Sequence, residues 1–241
     1  MVNTALSAKG RRSPFLHHYG DQTFDRLMIQ SYDLIKRMTH RALDTKARIL
    51  DAAEKLFGDK GFDSTSLRDI TTEADVNLAS VNYHFQSKDS LIDAVIARRS
   101  EPINKKRLEM LAQAGSSPTL KQILTAFLSP LIADQDVSLF APLIGRILAT
   151  PDVSRIQLFK KHMVPVIQLF IAALQKALPD LNETEIMWRL SFTAGAMAHI
   201  MARSVHIQEL TGGKCDPTDR PAVLARLVTF ATAGFRAKEG Q

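Results

Sequence analysis

Apolar residues recur every three or four positions along most of the chain after Asp44, which is the pattern of amphipathic helices. The first such stripe contains Ile49, Ala52, Ala53, Leu56 and Phe57. Asp44 or Thr45 is predicted to cap this helix, and Gly61 to end it in a left-handed conformation. No segment shows strands alternating with turns. The pattern therefore predicts an all-α fold.

Two short helices with tight turns are predicted next. Ser66 and Asp69 have the spacing of a capping box, so one helix begins there. Asp75-Val76-Asn77 is predicted to form a tight turn, and Leu78–Phe85 the next short helix. Ser87 caps a long helix. The positions predicted to be buried in this part are Leu67, Ile70, Val81, Phe85, Leu91, Ile92, Val95 and Ile96.

Longer helices are predicted beyond about residue 115. They span residues 120–131, 137–148, 156–178, 186–207 and 221–235. The segment Ile186–Ile207 is apolar on almost every side, as in a helix that is buried all round or shared with a partner. Within it, the small residues Thr193-Ala194-Gly195-Ala196 allow a second helix to approach closely.

Residues 1–43 are predicted to form a poorly ordered N-terminal extension. Three interpretations stay open for it. Translation begins at Met38 or Met28 and the preceding stretch is not made; the extension is a basic arm that touches DNA; or it is an inert tail.

The basic charge is concentrated at the N-terminal end. The chain carries a formal net charge of +6 with a pI of about 9.5. Residues 1–48 contribute +5 of it and residues 49–241 only +1. A basic surface suits a polyanionic partner without identifying it.

Several classes of protein do not fit the sequence. No apolar run is long enough to cross a bilayer and no secretory signal is visible, so we expect a cytoplasmic protein. Cys215 is the single cysteine and no Cys/His cluster surrounds it, so no metal or cofactor is expected. No common catalytic motif occurs, which argues against an enzyme or carrier.

The residues between 46 and 95 carry a resemblance to a known family. Its segments are Thr65–Ile70, Ala74–Asn77 and Ser80–Leu91, and together they resemble the signature of the TetR family. The resemblance implies a three-helix helix-turn-helix DNA-binding domain over 44–92. It also implies a larger helical ligand-binding and dimerisation domain over 93–241.

The exposed side of the predicted helix Leu78–Phe85 suits a DNA major groove. Asn82 can bond adenine with both ends of its amide, Ser80 can donate or accept, and Leu78 or Ala79 can touch a thymine methyl. The candidate DNA-binding residues are Lys46, Thr65, Ser66, Asn77, Leu78, Ala79, Ser80, Asn82, Tyr83, His84 and Lys88. The resemblance implies that those matching Thr65, Tyr83, His84 and Lys88 lie at the DNA backbone.

Each assignment has an alternative. Thr65 is either a phosphate contact, favoured by a helix N-terminus, or only a cap. Tyr83 and His84 can simply cover the surface, Lys88 can be solvated and Asn82 can serve no base. Arg41, Lys46 and Arg48 are either phosphate contacts or an ordinary charged helix start.

The chain departs from the family pattern at three positions. The turn has Asp75 where glycine is usual, and Asp tolerates left-handed backbone better than most residues. The third helix has Ala79 in place of glycine and Asn82 in place of tyrosine. Both change the groove-facing surface, so the operator sequence of relatives cannot be carried over.

The resemblance implies a ligand pocket in the C-terminal helices, and pairing of the last two helices with their copies. The pocket candidates are Phe127, Phe140, Ile144, His162, Phe170, Trp188, Phe192 and His199, with Arg146 and Gln168 as further polar anchors. The alternatives are plain core for the apolar residues and structural or surface roles for the histidines.

The expected function is that of a homodimeric repressor. The expected partners are double-stranded operator DNA and a small apolar or amphipathic effector that releases the protein from a palindromic operator. A constitutive DNA-binding protein without a ligand, and an activator with the same fold, stay open as alternatives.

Overall fold

A computed structural model describes residues 43–133 and 153–238. The chain divides into one unit that ends at Thr45 and a second that begins at Lys46, and the second is the one described below. Every regular element of these two ranges is a helix, in agreement with the predicted fold class. The helices are α1 (residues 43–60), α2 (Leu67–Glu73), α3 (Leu78–Phe85), α4 (Lys88–Gln113), α5 (Leu120–Ala133), α6 (Val153–Ala177), α7 (Glu183–Ala202), α8 (Ser204–Leu210) and α9 (Arg220–Arg236).

The predicted start and end signals of the short helices are confirmed with one exception. The Ser66–Asp69 capping box is present, and its hydrogen bonds lower the pKa of the Asp69 carboxyl. Gly61 has a φ of 87°, and Asp75 adopts the left-handed conformation with a φ of 50°. The predicted cap at Asp44 or Thr45 is wrong, because residues 43–45 are already helical.

The prediction of one continuous helix over 186–207 is also wrong, because the helix is broken at Arg203. Helix α7 ends at Ala202, and Arg203 leaves the helical region with φ −123° and ψ 25° before α8 begins. The apolar spacing hides this break because α8 resumes at the next residue. The predicted helix over 137–148 lies outside the described residues.

Two apolar clusters hold the described helices together. The first joins α1 to α3 with the first half of α4, and Phe57 and Leu91 are fully buried in it. The second joins α5, α6, α7 and α9 around Phe170 and Phe235. Helix α4 contributes to both clusters, so it connects the two packed regions.

Helix α4 contains a proline between its two halves. Pro102 cannot donate a backbone hydrogen bond to Arg98, four residues earlier, and its ring crowds that carbonyl. The first half of α4 packs on the α1–α3 cluster, and α4 also packs on α5 and α6. Helix α5 in turn packs against α9, and α7 packs against α6 and α9. None of the helices described is long and apolar enough to span a membrane.

The residue that ends α3 carries backbone strain. Gln86 has φ 63° and ψ −40°, a conformation that side chains with a Cβ rarely adopt. Gln86→Gly is therefore expected to raise the free energy of unfolding by about 1 kcal/mol. Urea denaturation of the two proteins measures the difference. Asn82→Gly, inside the same helix, is the control and is expected to lower stability by about 0.3 kcal/mol.

Candidate nucleic-acid interface and internal cavity

Helix α3 has one buried side and one exposed side, as predicted. Val81 and Phe85 pack into the core, whereas Leu78 and Asn82 are exposed and Tyr83 is 79% exposed. Ala79 is exposed as well. The Asn82 side chain makes no hydrogen bond within the described part of the chain, so its amide is available to an outside partner.

The start of α3 is held by its own side chains. The Oδ1 atom of Asn77 accepts hydrogen bonds from the backbone N–H of Ser80 at 2.8 Å and from its hydroxyl at 2.9 Å. The Ser80 hydroxyl has therefore committed its hydrogen and can offer DNA only acceptor lone pairs. Both residues lie at the start of α3, beside its exposed side, and their hydrogen bonds help to fix the direction in which the helix begins.

Thr65 does not fit its predicted role. Its side chain is fully buried, and its hydroxyl donates to the backbone carbonyls of Leu56 and Gly61. The physical reason is that Ser66, not Thr65, caps α2, so Thr65 points inward one residue before the helix. The prediction that the Thr65 side chain contacts a phosphate is therefore wrong. Ser66 itself is exposed.

Basic side chains lie next to the exposed residues of α3. Lys46 is exposed, with its Nζ atom 5.9 Å from the centre of the Phe85 ring. His84 is half-buried, with its ring 5.1 Å from that of Tyr83, and Lys88 is half-buried at the first position of α4.

Arg48 serves the turn before α3. Its Nη2 atom donates to the carbonyls of Ala74 and Asp75 at 2.6 and 2.8 Å, and lies 3.2 Å from the Asp75 carboxylate. These contacts hold the left-handed Asp75 in place. Of the two interpretations given for Arg48, its position favours a structural role. Arg41 lies outside the described residues.

A cavity of about 480 Å³ lies among α4, α5, α6 and α7. Its volume falls within the usual range for small-molecule sites, about 300–1,000 Å³. The lining is mostly apolar and consists of Ser100, Ile103, Asn104, Arg107, Phe127, Leu131, Met163, Ile167, Ile171, Met187, Leu190, Ser191, Ala194, Gly195, Met197, Ala198 and Met201. The polar members on α4, at positions 100, 104 and 107, have helical spacing and share one face.

Arg107 is the one charged side chain among the described lining residues, and it was not among the predicted pocket residues. The residue is 2% exposed, and burial lowers the pKa of its guanidinium to about 10. Nε donates to the carbonyl of Phe127 at 2.8 Å, and Nη1 to Oδ1 of Asn104 at 3.3 Å. The Phe127 ring lies below the guanidinium, 4.6 Å away. A signal was present: Arg107 lies on the inward face of α4, four residues after Ile103.

Among the predicted pocket residues that the structure describes, only Phe127 lines this cavity. Phe170 is fully buried beside it in the core, with the ring centres 5.3 Å apart. Gln168 and His199 are exposed and do not line the cavity. Phe140, Ile144 and Arg146 lie outside the described residues.

His162 links α6 to α4 instead of lining the cavity. Its Nε2 atom lies 2.7 Å from the Asp93 carboxylate, which also accepts from Lys161. Burial raises the pKa of Asp93, but the hydrogen bonds from Lys161 and His162 outweigh it, so the pKa lies below its ordinary value. The carbonyl of His162 accepts from Asn104 at 3.0 Å, which gives α6 a second link to α4.

Trp188 and Phe192 were expected in the pocket and lie on another face of α7. They are 57% and 64% exposed, and their rings stack 5.6 Å apart. The reason is helical phase: Met187, Leu190 and other cavity residues occupy one face of α7, and positions 188 and 192 turn away from it.

The face that carries Trp188 and Phe192 continues toward α9. Ala196, one helical turn after Phe192, lines a groove with Ile200 and with Phe230 of α9, which is 68% exposed. The small run at 193–196 therefore divides between two faces of α7: Ala194 and Gly195 line the cavity, and Ala196 the groove.

The comparisons with known proteins agree with this architecture. The family profile described as "Bacterial regulatory proteins, tetR family" matches residues 49–95. The profile described as "Tetracyclin repressor-like, C-terminal domain" matches residues 123–234.

Relatives and solved structures add to this. The HTH-type transcriptional regulator UidR of Escherichia coli (strain K12) is 34% identical over 68 residues, which is 28% of this chain and 35% of that protein. The first curated relatives are matched over only 35 to 40% of their own length.

Two solved structures have the same fold. Salmonella enterica GusR is 18% identical with a TM-score of 0.57, over 80% of this chain and 96% of that one. The fatty acid degradation regulator FadR from Bacillus halodurans is 12% identical with a TM-score of 0.56, over 80% and 97%. Because profiles of one family match both packed regions, as the residues between 46 and 95 predicted, this chain belongs to the TetR family of transcriptional regulators.

Proposed function

We propose that the protein is a homodimeric, DNA-binding transcriptional repressor that a small molecule releases from its operator. The observation that carries the proposal is the orientation of α3. Val81 and Phe85 anchor the helix in the core, and Asn82, Tyr83 and Ala79 project from the surface. A short helix presented in this way enters a major groove, where small and amide side chains read the bases.

The proposed contacts divide into two groups. The first group faces the major groove and reads the base sequence: Leu78, Ala79, Ser80 and Asn82. The second group lies at the edge of the exposed side of α3 and contacts the DNA backbone: Lys46, Ser66, Asn77, Tyr83, His84 and Lys88. Thr65 is left out because its side chain is buried. Because the proposed partner is DNA, we place the protein in the cytoplasm.

A dimer is required by the geometry of DNA. Two recognition helices must lie about 34–36 Å apart to occupy successive major grooves on one side of the duplex. The exposed apolar face of α7 and α9, with Trp188, Phe192 and Phe230, is the proposed contact between copies, since grouped exposed aromatic side chains mark protein–protein contacts.

Helix α4 is the proposed connection between effector and DNA. Two residues separate the end of α3 from the start of α4, and residues 100–107 of α4 line the cavity. Pro102 lies between the two halves and weakens the helix there. A ligand that binds one arrangement of α4 more tightly shifts the population toward it, and the spacing of the two α3 helices changes with it. The repressor role is supported by the description of the matching C-terminal profile.

The role of α3 is tested with two single variants. DNA fragments retained by the purified protein are sequenced to find the operator, and affinities are then measured at several salt concentrations. Lys88→Ala is expected to weaken every site alike and to lower the salt slope by about 1. Asn82→Ala is expected to cost about 1–3 kcal/mol at one base position and to change the preference among sites.

The matched control is Lys105→Ala, which removes an exposed lysine from the other end of α4. It should leave both affinity and salt slope unchanged. The reverse pattern, with Lys88→Ala changing site preference and Asn82→Ala changing the salt slope, would contradict the assignment.

A further inference from the structure

Arg107 differs from the other buried charged side chains of the described residues. Glu54 pairs with Arg99, and Arg189 pairs with Glu185. Arg107 has no carboxylate partner in the parts of the chain that the structure describes. A buried cation without an anion is costly, so its retention at a cavity wall calls for an explanation.

The guanidinium has donors to spare. Of its five N–H groups, two are used, by the Phe127 carbonyl and by Asn104. The others have no hydrogen-bond partner among residues 43–133 and 153–238. The pKa of about 10 keeps the group cationic at neutral pH despite its burial. Planar, paired N–H donors of this kind match the two oxygens of a carboxylate, as they also match a phosphate.

The rest of the cavity has the opposite character. Apart from Ser191, the residues beyond the Ser100–Arg107 face are apolar or glycine, and several are methionines, whose flexible side chains adapt to irregular shapes. The principal ones are Ile103, Leu131, Met163, Ile167, Met187 and Leu190. The site therefore offers one cationic point on an otherwise apolar wall.

We propose that the effector is an amphipathic carboxylate whose head group pairs with Arg107 and whose hydrocarbon body lies along this apolar lining. The inference rests on the proposed function, because it assigns a ligand class to the same cavity. It also places the charged contact on α4, beyond Pro102, in the helix that continues from the DNA-binding helices.

Three amphiphiles of equal chain length test the proposal on the full-length wild-type protein. Decanoate, decanol and decyltrimethylammonium are titrated into it by isothermal titration calorimetry. We expect decanoate to bind about tenfold to a hundredfold more tightly than decanol, from one charge-assisted hydrogen-bonded pair. The cationic amphiphile should not bind. Equal affinity for decanoate and decanol, or binding of neither, overturns the proposal without any variant.

Two substitutions locate the charge. Arg107→Met keeps an apolar side chain of similar length and is expected to remove the preference for decanoate, whereas Arg107→Lys keeps the charge and should retain part of it. Arg68→Met, the same change at an exposed arginine of α2, is the control and should bind decanoate like the wild type. Persistence of the full preference in Arg107→Met overturns the proposal.

A third substitution locates the site. A Cβ atom built on Gly195 meets nothing within 4 Å, and this residue lines the cavity. Gly195→Phe should therefore occupy part of the cavity and weaken decanoate binding while Arg107 stays in place. Unchanged binding would put the ligand elsewhere and overturn the proposal. Operator binding by the ligand-free protein is measured separately, so failure of the ligand class and failure of the DNA-binding function are told apart.

Discussion

Phe192→Glu is expected to convert the protein from a dimer to a monomer and to remove most of its operator affinity. Phe192 is 64% exposed, stacks on Trp188 and lies on the α7 face that continues toward Phe230 of α9. In a twofold interface the substitution is present on both copies, so the loss in the free energy of dimerisation is doubled. At about 2 kcal/mol for each central aromatic residue, the dimer loses about 4 kcal/mol, or roughly a thousandfold in its dissociation constant.

The measurement is analytical ultracentrifugation over a range of protein concentrations, followed by operator titration at the same concentrations. The carboxylate of the new side chain strengthens the effect, because two copies bring like charges together across the axis. A monomer carries a single α3, so it contacts one half-site and loses the second set of contacts.

Leu169→Glu is the matched control. Leu169 is 52% exposed, but it lies on α6 and not on the face shared by α7 and α9. It should stay dimeric and bind the operator like the wild type. A Phe192→Glu protein that sediments as a dimer, or a Leu169→Glu protein that dissociates, would show that the interface lies elsewhere.

The α2–α4 region was predictable from sequence because its determinants are local. A capping box, a left-handed turn residue and a cap before each helix fix the boundaries, as Ser66, Asp75, Asn77 and Ser87 show. Helical spacing then separates Val81 and Phe85 from the exposed positions. The prediction for Thr65 was wrong because a shift of one residue at the start of a helix turns an exposed position into a buried one.

The cavity was hardly predictable because it depends on contacts between distant segments. Aromatic residues on an apolar helix have the same pattern whether they line a cavity, fill the core or cover an interface. Phe127 lines the cavity, Phe170 fills the core and Phe192 is exposed on the surface, where we propose the contact between copies. Arg107 escaped notice because an arginine on a long helix is ordinarily solvated, and only the packing of α5 against α4 buries it.

Arg189→Met is expected to lower the free energy of unfolding by about 3–5 kcal/mol, the cost of breaking a buried ion pair. Arg189 is 8% exposed, and its Nε donates to Glu185 one turn earlier on α7. Its Nη1 atom lies 2.9–3.1 Å from the carbonyls of Gly234, Phe235 and Ala237.

These carbonyls lie at the end of α9, where no later turn of helix follows, and among the described residues only that of Gly234 also accepts a backbone N–H, from Ala237. The end of a helix also carries partial negative charge, which a cation offsets. Removing the guanidinium thus leaves the carbonyls at the end of α9 and the Glu185 carboxylate without this donor. It also removes the hydrogen bonds that join α9 to α7. Since these helices form the proposed interface, the dimer should weaken together with the fold.

Guanidinium denaturation at one fixed protein concentration gives the change in stability, because the folding of a dimer depends on concentration. Arg189→Lys should recover part of the loss, since it restores the charge but not the planar set of donors. Glu185→Gln should cost much less, about 1 kcal/mol, because the contacts to the end of α9 stay intact. If Arg189→Met and Glu185→Gln cost the same, the ion pair alone accounts for the effect, and the three carbonyls contribute nothing to holding α9 in place.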